Sequence, residues 1–230
     1  MGCKKESEED LVDNNGQVGS AANALLSDEV YKKLEVEIIH MQGYTPTSST
    51  ISNLQSFLSS CLKKPGGITI SLKEIPTQSQ SSYSTSDLKS IENNHRTIYN
   101  VGNTIAASII IVDGAYTNNN VLGIAYKNTS MAIFGGTIEE NSGGISKPSR
   151  SKLESTVLNH EFGHVLGLVN VGSNMVENHE ANDHEGHCNN DNCLMYYAAE
   201  TTEIASFLVG NDIPELDNNC EQDLTANGGK

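Results

Sequence analysis

The 230-residue chain is long enough to bury a substantial core and suits one large domain, or one domain with a small subdomain. Its 14 Lys and Arg stand against 29 Asp and Glu, a net charge of −15, which argues against a nucleic-acid partner because that surface needs a basic patch. No stretch approaches the ~18 apolar residues of a membrane span, and the acidic surface favours cationic over anionic peptides.

Residues 1–27 are rich in Asn, Ser and Glu, lack hydrophobic periodicity and read as a disordered tether. The start, Met1-Gly2-Cys3-Lys4-Lys5, is similar to a mature bacterial lipoprotein whose signal peptide has been replaced by Met-Gly. Cys3 would then be the lipidated residue, on an exported bacterial lipoprotein at the cell surface or in the periplasm, with that lipid its only contact with a membrane. Myristoylation fits less well, since Glu6 stands where the motif wants Ser or Thr. A stray cysteine in a disordered tail is the other reading.

From residue 28 the chain reads as one domain, with an N-terminal part to 168 and a C-terminal part over 169–230. Leu34, Val36 and Ile38 alternate with Glu35 and Glu37, the period of a half-buried strand. Pro46 and a Ser/Thr cluster open a helix carrying Ile51, Leu54, Leu58, Cys61 and Leu62 on one face, ended by Pro65-Gly66-Gly67. A second strand alternates Ile68, Ile70 and Leu72. After a serine-rich loop, Ser84 with Asp87 forms a capping box for a helix carrying Leu88, Ile91 and Ile98. Residues 104–112, TIAASIIIV, are apolar on both faces and suit a central, covered strand. Shorter strands are predicted over 121–126 and 131–134. A Gly/Ser/Pro loop over 142–149 precedes a helix that stops at Gly167. A helix over 198–209 and a short one over 214–224, holding Cys220, complete an α+β chain with a mixed twisted sheet and helices packed on it.

The helix before Gly167 carries the chemistry. His160 and His164 are one turn apart, so their imidazoles can share a metal ion, and Glu161 would flank it and hold a water. Leu158, Phe162, Val165, Leu166 and Val169 form an apolar stripe on the opposite side, which predicts a helix that backs onto the core and turns its histidines to a cleft. Two histidines merely satisfied on a polar face would leave Glu161 and the downstream histidines without a role. Setting Cys3 aside, four cysteines remain, an even number. Cys188 and Cys193 are the favoured disulfide, leaving Cys61 for Cys220; direct metal binding by the CxxxxC pair is the alternative.

His160-Glu161-Phe162-Gly163-His164-Val165-Leu166-Gly167 resembles the metzincin clan of zinc peptidases, whose HExxHxxGxxH motif supplies three zinc histidines above a methionine turn. The compact motif's third ligand position is Asn170 here. Downstream, His187-Cys188-Asn189-Asn190-Asp191-Asn192-Cys193-Leu194-Met195 is similar to the HCxxxxCxM segment of archaemetzincins, displaced by an insertion after Gly167. The resemblance covers residues 156–197, extends to metallopeptidase lipoproteins of Bacteroidetes bacteria, and implies that the chain returns with His187 as third ligand. His184, His179 and Asn170 stay open as rivals, the carboxamide being the poorest donor. By the same resemblance Met195 is the methionine-turn residue. Tyr197, or its neighbour Tyr196, would be the tyrosine that touches zinc and helps stabilise an oxyanion. Asp183, Glu185 and Asp191 raise a calcium site, but their spacing fits no standard loop.

The function implied is that of a monomeric zinc metallopeptidase, an endopeptidase first of all: Zn²⁺ on His160, His164 and His187 with one open position, and Glu161 as general base. A peptide or protein substrate would pair in extended form with an edge strand, for which residues 121–126 are the candidate. Two alternatives stand beside it. One is a surface binding or adhesion lipoprotein whose structural zinc is closed by His179 or His184; the other is an aminopeptidase-type hydrolase of small peptides.

Overall fold

The protein is described here by a computed structural model over residues 12–210 and 212–230. In chain order the elements are α1 (Ala22–Leu26), β1 (Lys33–Met41), α2 (Ser48–Cys61), β2 (Ile68–Ile75), β3 (Ser82–Tyr83), α3 (Thr85–His95), β4 (Thr104–Val112), β5 (Ala115–Tyr116), β6 (Gly123–Lys127), β7 (Ser130–Phe134), α4 (Gly135–Glu140), α5 (Arg150–Val165), β8 (Glu180–Ala181), β9 (His184–Cys188), a 3-10 turn at Tyr197–Glu200, α6 (Ile204–Phe207) and α7 (Asn218–Ala226). Among the described residues the main sheet has five strands in the order β2-β1-β4-β7-β6. The first four are parallel, and β6 runs antiparallel to β7 at the edge, with a register shift between Ala125 and Lys127.

β4 lies at the centre and is buried at every position, as an apolar run with both faces covered requires. Strand alternation then sorts residues into two cores. Leu34, Val36, Ile38, Ile105, Ala107, Ile109, Ile111, Met131 and Ile133 face the larger core with Leu54 and Leu58 of α2 and Leu153, Val157, Leu158 and Phe162 of α5. Ile39, Met41, Ile110, Val112, Ala132 and Phe134 face a smaller one under Leu88 and Ile91 of α3. The second face also holds a buried ionic network. Glu92 meets Arg96 at 2.8 Å and Lys127 at 2.9 Å, and accepts a hydrogen bond from Ser130 at 2.6 Å.

Helix ends follow local chemistry. Thr47, Ser84, Ser149 and Asp217 each accept a backbone N–H from the first turn they cap, and Ser84 with Asp87 completes a capping box. The helix expected to reach Ile98 ends earlier, at His95, where Arg96 turns extended and enters the ionic network. The helix expected over 198–209 is replaced by the 3-10 turn and the four-residue α6.

Residues 12–27, expected to belong to a disordered tether, are instead ordered. Cys3 and the lipidation expected there lie outside the described residues, but residues 12–27 pack onto the body, with Leu25 and Leu26 fully buried. Asn14 is buried too, because its side-chain amide donates to Thr129, Asn100 and the carbonyl of Ala106. The 169–230 part contributes Cys188, Met195, Cys220 and Leu224 to the same core as α5. Among the described residues no helix is long and apolar enough to cross a membrane.

Candidate metal centre

α5 starts at the Ser149 cap and ends in a Schellman turn. Gly167 takes φ 80°, its N–H donates to the carbonyl of His164 at 3.0 Å, and the N–H of Leu168 donates to Gly163 at 3.1 Å. Contrary to the expected cleft-facing helix, every residue from Leu153 to Val165 is buried. The apolar stripe does meet the core, and the histidine face is covered in turn by residues 179–204 of the C-terminal part, which the helical pattern of α5 alone does not register.

His160, His164 and His187 converge there with Glu200, each offering a donor atom within 4.8 Å of the others. The Nε2 atoms of His160 and His164 face each other at 3.1 Å, close enough to need a shared proton or a cation between them. The Nδ1–H of His160 donates to the carbonyl of Leu194 at 2.7 Å, and that of His187 to Glu185 at 3.0 Å. Both contacts fix the tautomer that leaves Nε2 free as a ligand. Burial, first of all, holds His160 down to about 4, with the neighbouring Glu200 charge opposing and His187 assisting; it pushes His164 well below the ordinary range as well. Both rings are therefore neutral near pH 7, the form that binds metal.

Three buried polar atoms here have no hydrogen-bond partner among the described residues: Nε2 of His187 and both carboxylate oxygens of Glu161. Unpartnered donors and acceptors at zero exposure are rare in folded chains, and a cation with a water beside it would satisfy all three. The residues present thus fit a metal ion. Burial raises the Glu161 carboxyl well above its usual range and the Glu200 charge adds to this, while the backbone at Ala125 opposes without reaching good hydrogen-bond geometry. A dication on the histidines would favour the charged form again. Glu200 itself is held below the ordinary range: burial works against its charge, but the hydrogen-bonding contact with His187 and the nearness of the His160 ring outweigh it.

The rivals for the third position go elsewhere. Asn170 is exposed in a left-handed turn, at φ 63°. His184 is exposed and stacks on Tyr197, ring centroids 3.6 Å apart. His179 is buried in a different cluster. The hydroxyl of Tyr197 donates to Glu203 at 3.3 Å, and the side chain of this segment that meets the three histidines is instead Glu200. Nothing in the sequence marked Glu200, which has no motif spacing to the histidines. Met195 is fully buried beneath α5. β6 lies against α5 at Gly123, where an added Cβ would stand 2.6 Å from Val157 and 2.9 Å from Glu161, so only glycine lets the edge strand approach the carboxylate.

The expected disulfides do not form. Cys61, Cys188, Cys193 and Cys220 are all free thiols, and Cys188 and Cys220 converge instead with His179 and Asp217 in a second set of potential metal donors. Cys61 sits apart at the end of α2 and does not join Cys220. The Nδ1 of His179 lies 3.4 Å from Cys188 Sγ and its Nε2 2.9 Å from Asp223, while Cys193 Sγ is 3.6 Å from Cys220 Sγ. The amides of Met195 and Asp217 both donate to Cys193 Sγ at 3.4 Å. Hydrogen bonds from Cys188 and then Cys220 hold the Cys193 thiol down to about 4, so a thiolate is favoured. The mutually close donors are two thiols, an imidazole and a carboxylate, groups that structural zinc sites use, and Cys193 stands beside them. His187 and Cys188 are neighbours on β9 and serve different clusters, since successive strand residues point to opposite faces.

No family model matches the chain, and no curated protein matches it. Among solved structures, its fold is similar to that of archaemetzincin from Methanopyrus kandleri, with a TM-score of 0.58 and 16% identity over 85% of this chain and 96% of that one. A metalloproteinase-II from Bacteroides fragilis is similar at a TM-score of 0.48 and 18% identity, over 89% of this chain and 55% of that one.

Proposed function

We propose that the protein is a zinc-dependent peptidase. The observation that carries this reading is the convergence of three imidazoles, His160, His164 and His187, the first and last held in the tautomer that leaves Nε2 free, beside a buried carboxylate, Glu161, with no hydrogen-bond partner among the described residues. A fold similar to that of an archaemetzincin supports it.

The three histidines would hold the ion, and bound Zn²⁺ would supply Lewis acidity and lower the pKa of a water to about 7. Glu161 would take the proton of the attacking water and pass it to the leaving amine. Leu194 and Glu185 keep the two imidazoles in the ligating tautomer through their carbonyls. β6, held against α5 at Gly123, offers its outer edge to an extended peptide, whose scissile bond would then lie beside Glu161. The His179, Cys188, Asp217 and Cys220 cluster would hold a second, structural zinc, which would tie β9 to α7. Export and a lipid on Cys3 belong to this proposal on the residues alone.

A second reading has one observation in its favour. Glu200 gives the histidine cluster four protein donors, as in a closed structural site. Such a site has no use for a general base, so the buried Glu161 weighs against it. Glu161→Gln separates the two. On the peptidase reading the variant keeps its metal and loses nearly all turnover of a mixed peptide library; undiminished cleavage would overturn the reading.

A further inference from the structure

We propose that Glu200 is a fourth protein ligand of the resting metal centre, delivered by a short strap, residues 200–202, that occupies the edge of the sheet where a peptide would bind. The inference rests on the peptidase reading and adds to it a self-closed state.

The carboxylate is placed for ligation. Oε1 of Glu200 lies 3.6 Å from Nε2 of His187, and Oε2 lies 4.0 Å from Nε2 of His160. Around a tetrahedral zinc with bonds of 2.0–2.1 Å, neighbouring donors stand about 3.3 Å apart. Drawing these atoms onto one ion therefore needs only small side-chain adjustments. The side chain is 26% exposed, and its ion contacts among the described residues are with these two histidines, neither Lys nor Arg taking part. A carboxylate brought this close to two imidazole Nε2 atoms completes the donor set that a cation between them would use.

The backbone of the same segment carries the second observation. The N–H of Leu122 donates to the carbonyl of Glu200 at 2.7 Å, the N–H of Thr202 donates to Asn120 at 2.9 Å, and Val121 and Thr201 form an antiparallel bridge. These are main-chain bonds of the kind an extended peptide would make on entering the edge just ahead of β6. The strap thus takes both things a substrate needs, an open coordination position and an edge to pair with. It runs between two buried anchors, Ala199 and Ile204, so releasing residues 200–202 breaks the carboxylate contact and two backbone bonds while the core stays packed.

The test uses the zinc-loaded full chain and acetohydroxamate, a small chelator that needs an open metal position. Calorimetric titration compares wild type with Glu200→Gln and Glu200→Ala, and a crystal structure of zinc-loaded wild type shows the donors directly. If the strap is closed in nine molecules of ten, both variants bind the hydroxamate about tenfold more tightly than wild type, and the wild-type zinc has three nitrogens and one Glu200 oxygen. Equal affinity in all three proteins, with zinc on the histidines and Glu200 turned away, overturns the latch and leaves the peptidase reading standing. Zinc content unchanged by His160→Ala would overturn the peptidase reading itself, and the latch with it.

Discussion

Met195 lies directly beneath Gly163: a Cβ added to that glycine would stand 2.2 Å from the methionine sulfur. Ala normally stabilises a helix interior relative to Gly by about 1 kcal/mol. At this position the overlap with a fully buried sulfur outweighs the propensity. Gly163→Ala is expected to lower stability by about 1–3 kcal/mol, the usual cost of overpacking, and to weaken metal binding by displacing His160 or His164. Urea denaturation and metal content read the two effects; a stabilised variant would show that Met195 can move aside.

The two donor sets predict two metals per chain, one on the three histidines and one on Cys188, Cys220, His179 and Asp217. Cys220→Ser should reduce the content to one and lower the melting temperature, since a structural zinc contributes directly to folding. Elemental analysis after dialysis against a weak chelator gives the count, and a content that Cys220→Ser leaves unchanged would exclude the cysteine site.

Acid should destabilise the metal-free protein. His160 titrates at about 4 in the folded chain because burial disfavours its charge, against an ordinary value of 6.5. Between these values the unfolded chain takes up a proton that the folded chain refuses, so stability is full above about pH 6.5 and falls as the pH drops towards 4. By about pH 5 this residue alone should account for a loss of about 2 kcal/mol, and His164 shifts in the same direction. Metal-free His160→Gln should show a shallower decline over that window, measured by urea midpoints at several pH values.

On the far face of the sheet, Glu92 compensates two buried cations, Arg96 and Lys127. Burial alone would raise its pKa, yet Ser130, Lys127 and Arg96 hold it below the ordinary range. Glu92→Gln leaves those cations without their counter-charge and should cost about 3–5 kcal/mol. Because α5 packs on the opposite face, zinc content per folded molecule should stay at the wild-type value.

The sequence carried whatever depends on local chemistry or strand period. The Ser84 and Asp87 capping box, the stop at Gly167 and the central position of β4 each follow from a few adjacent residues. What escaped depends on residues brought together from far along the chain. Glu200 reaches the histidines because its backbone pairs with Leu122. The spacing of Cys188 and Cys193 allows a disulfide or a metal site equally well, and what surrounds Cys188 instead comes from far along the chain: α7 delivers Cys220, and His179 reaches its sulfur. Residues 12–27 look polar enough to stay unfolded, but Asn14 finds three partners in the body and Leu25 and Leu26 find the core.

A single peptide bond separates His187 from Cys188, about 3.8 Å from one Cα to the next, and the chain has no slack there to absorb a disturbance at either end. Oxidant or mercurial attack on the thiols would tug β9 and carry the His187 imidazole out of register with His160 and His164. On the peptidase reading, the chain's tolerance of its chemical surroundings would thereby be set by sulfur outside the hydrolytic centre.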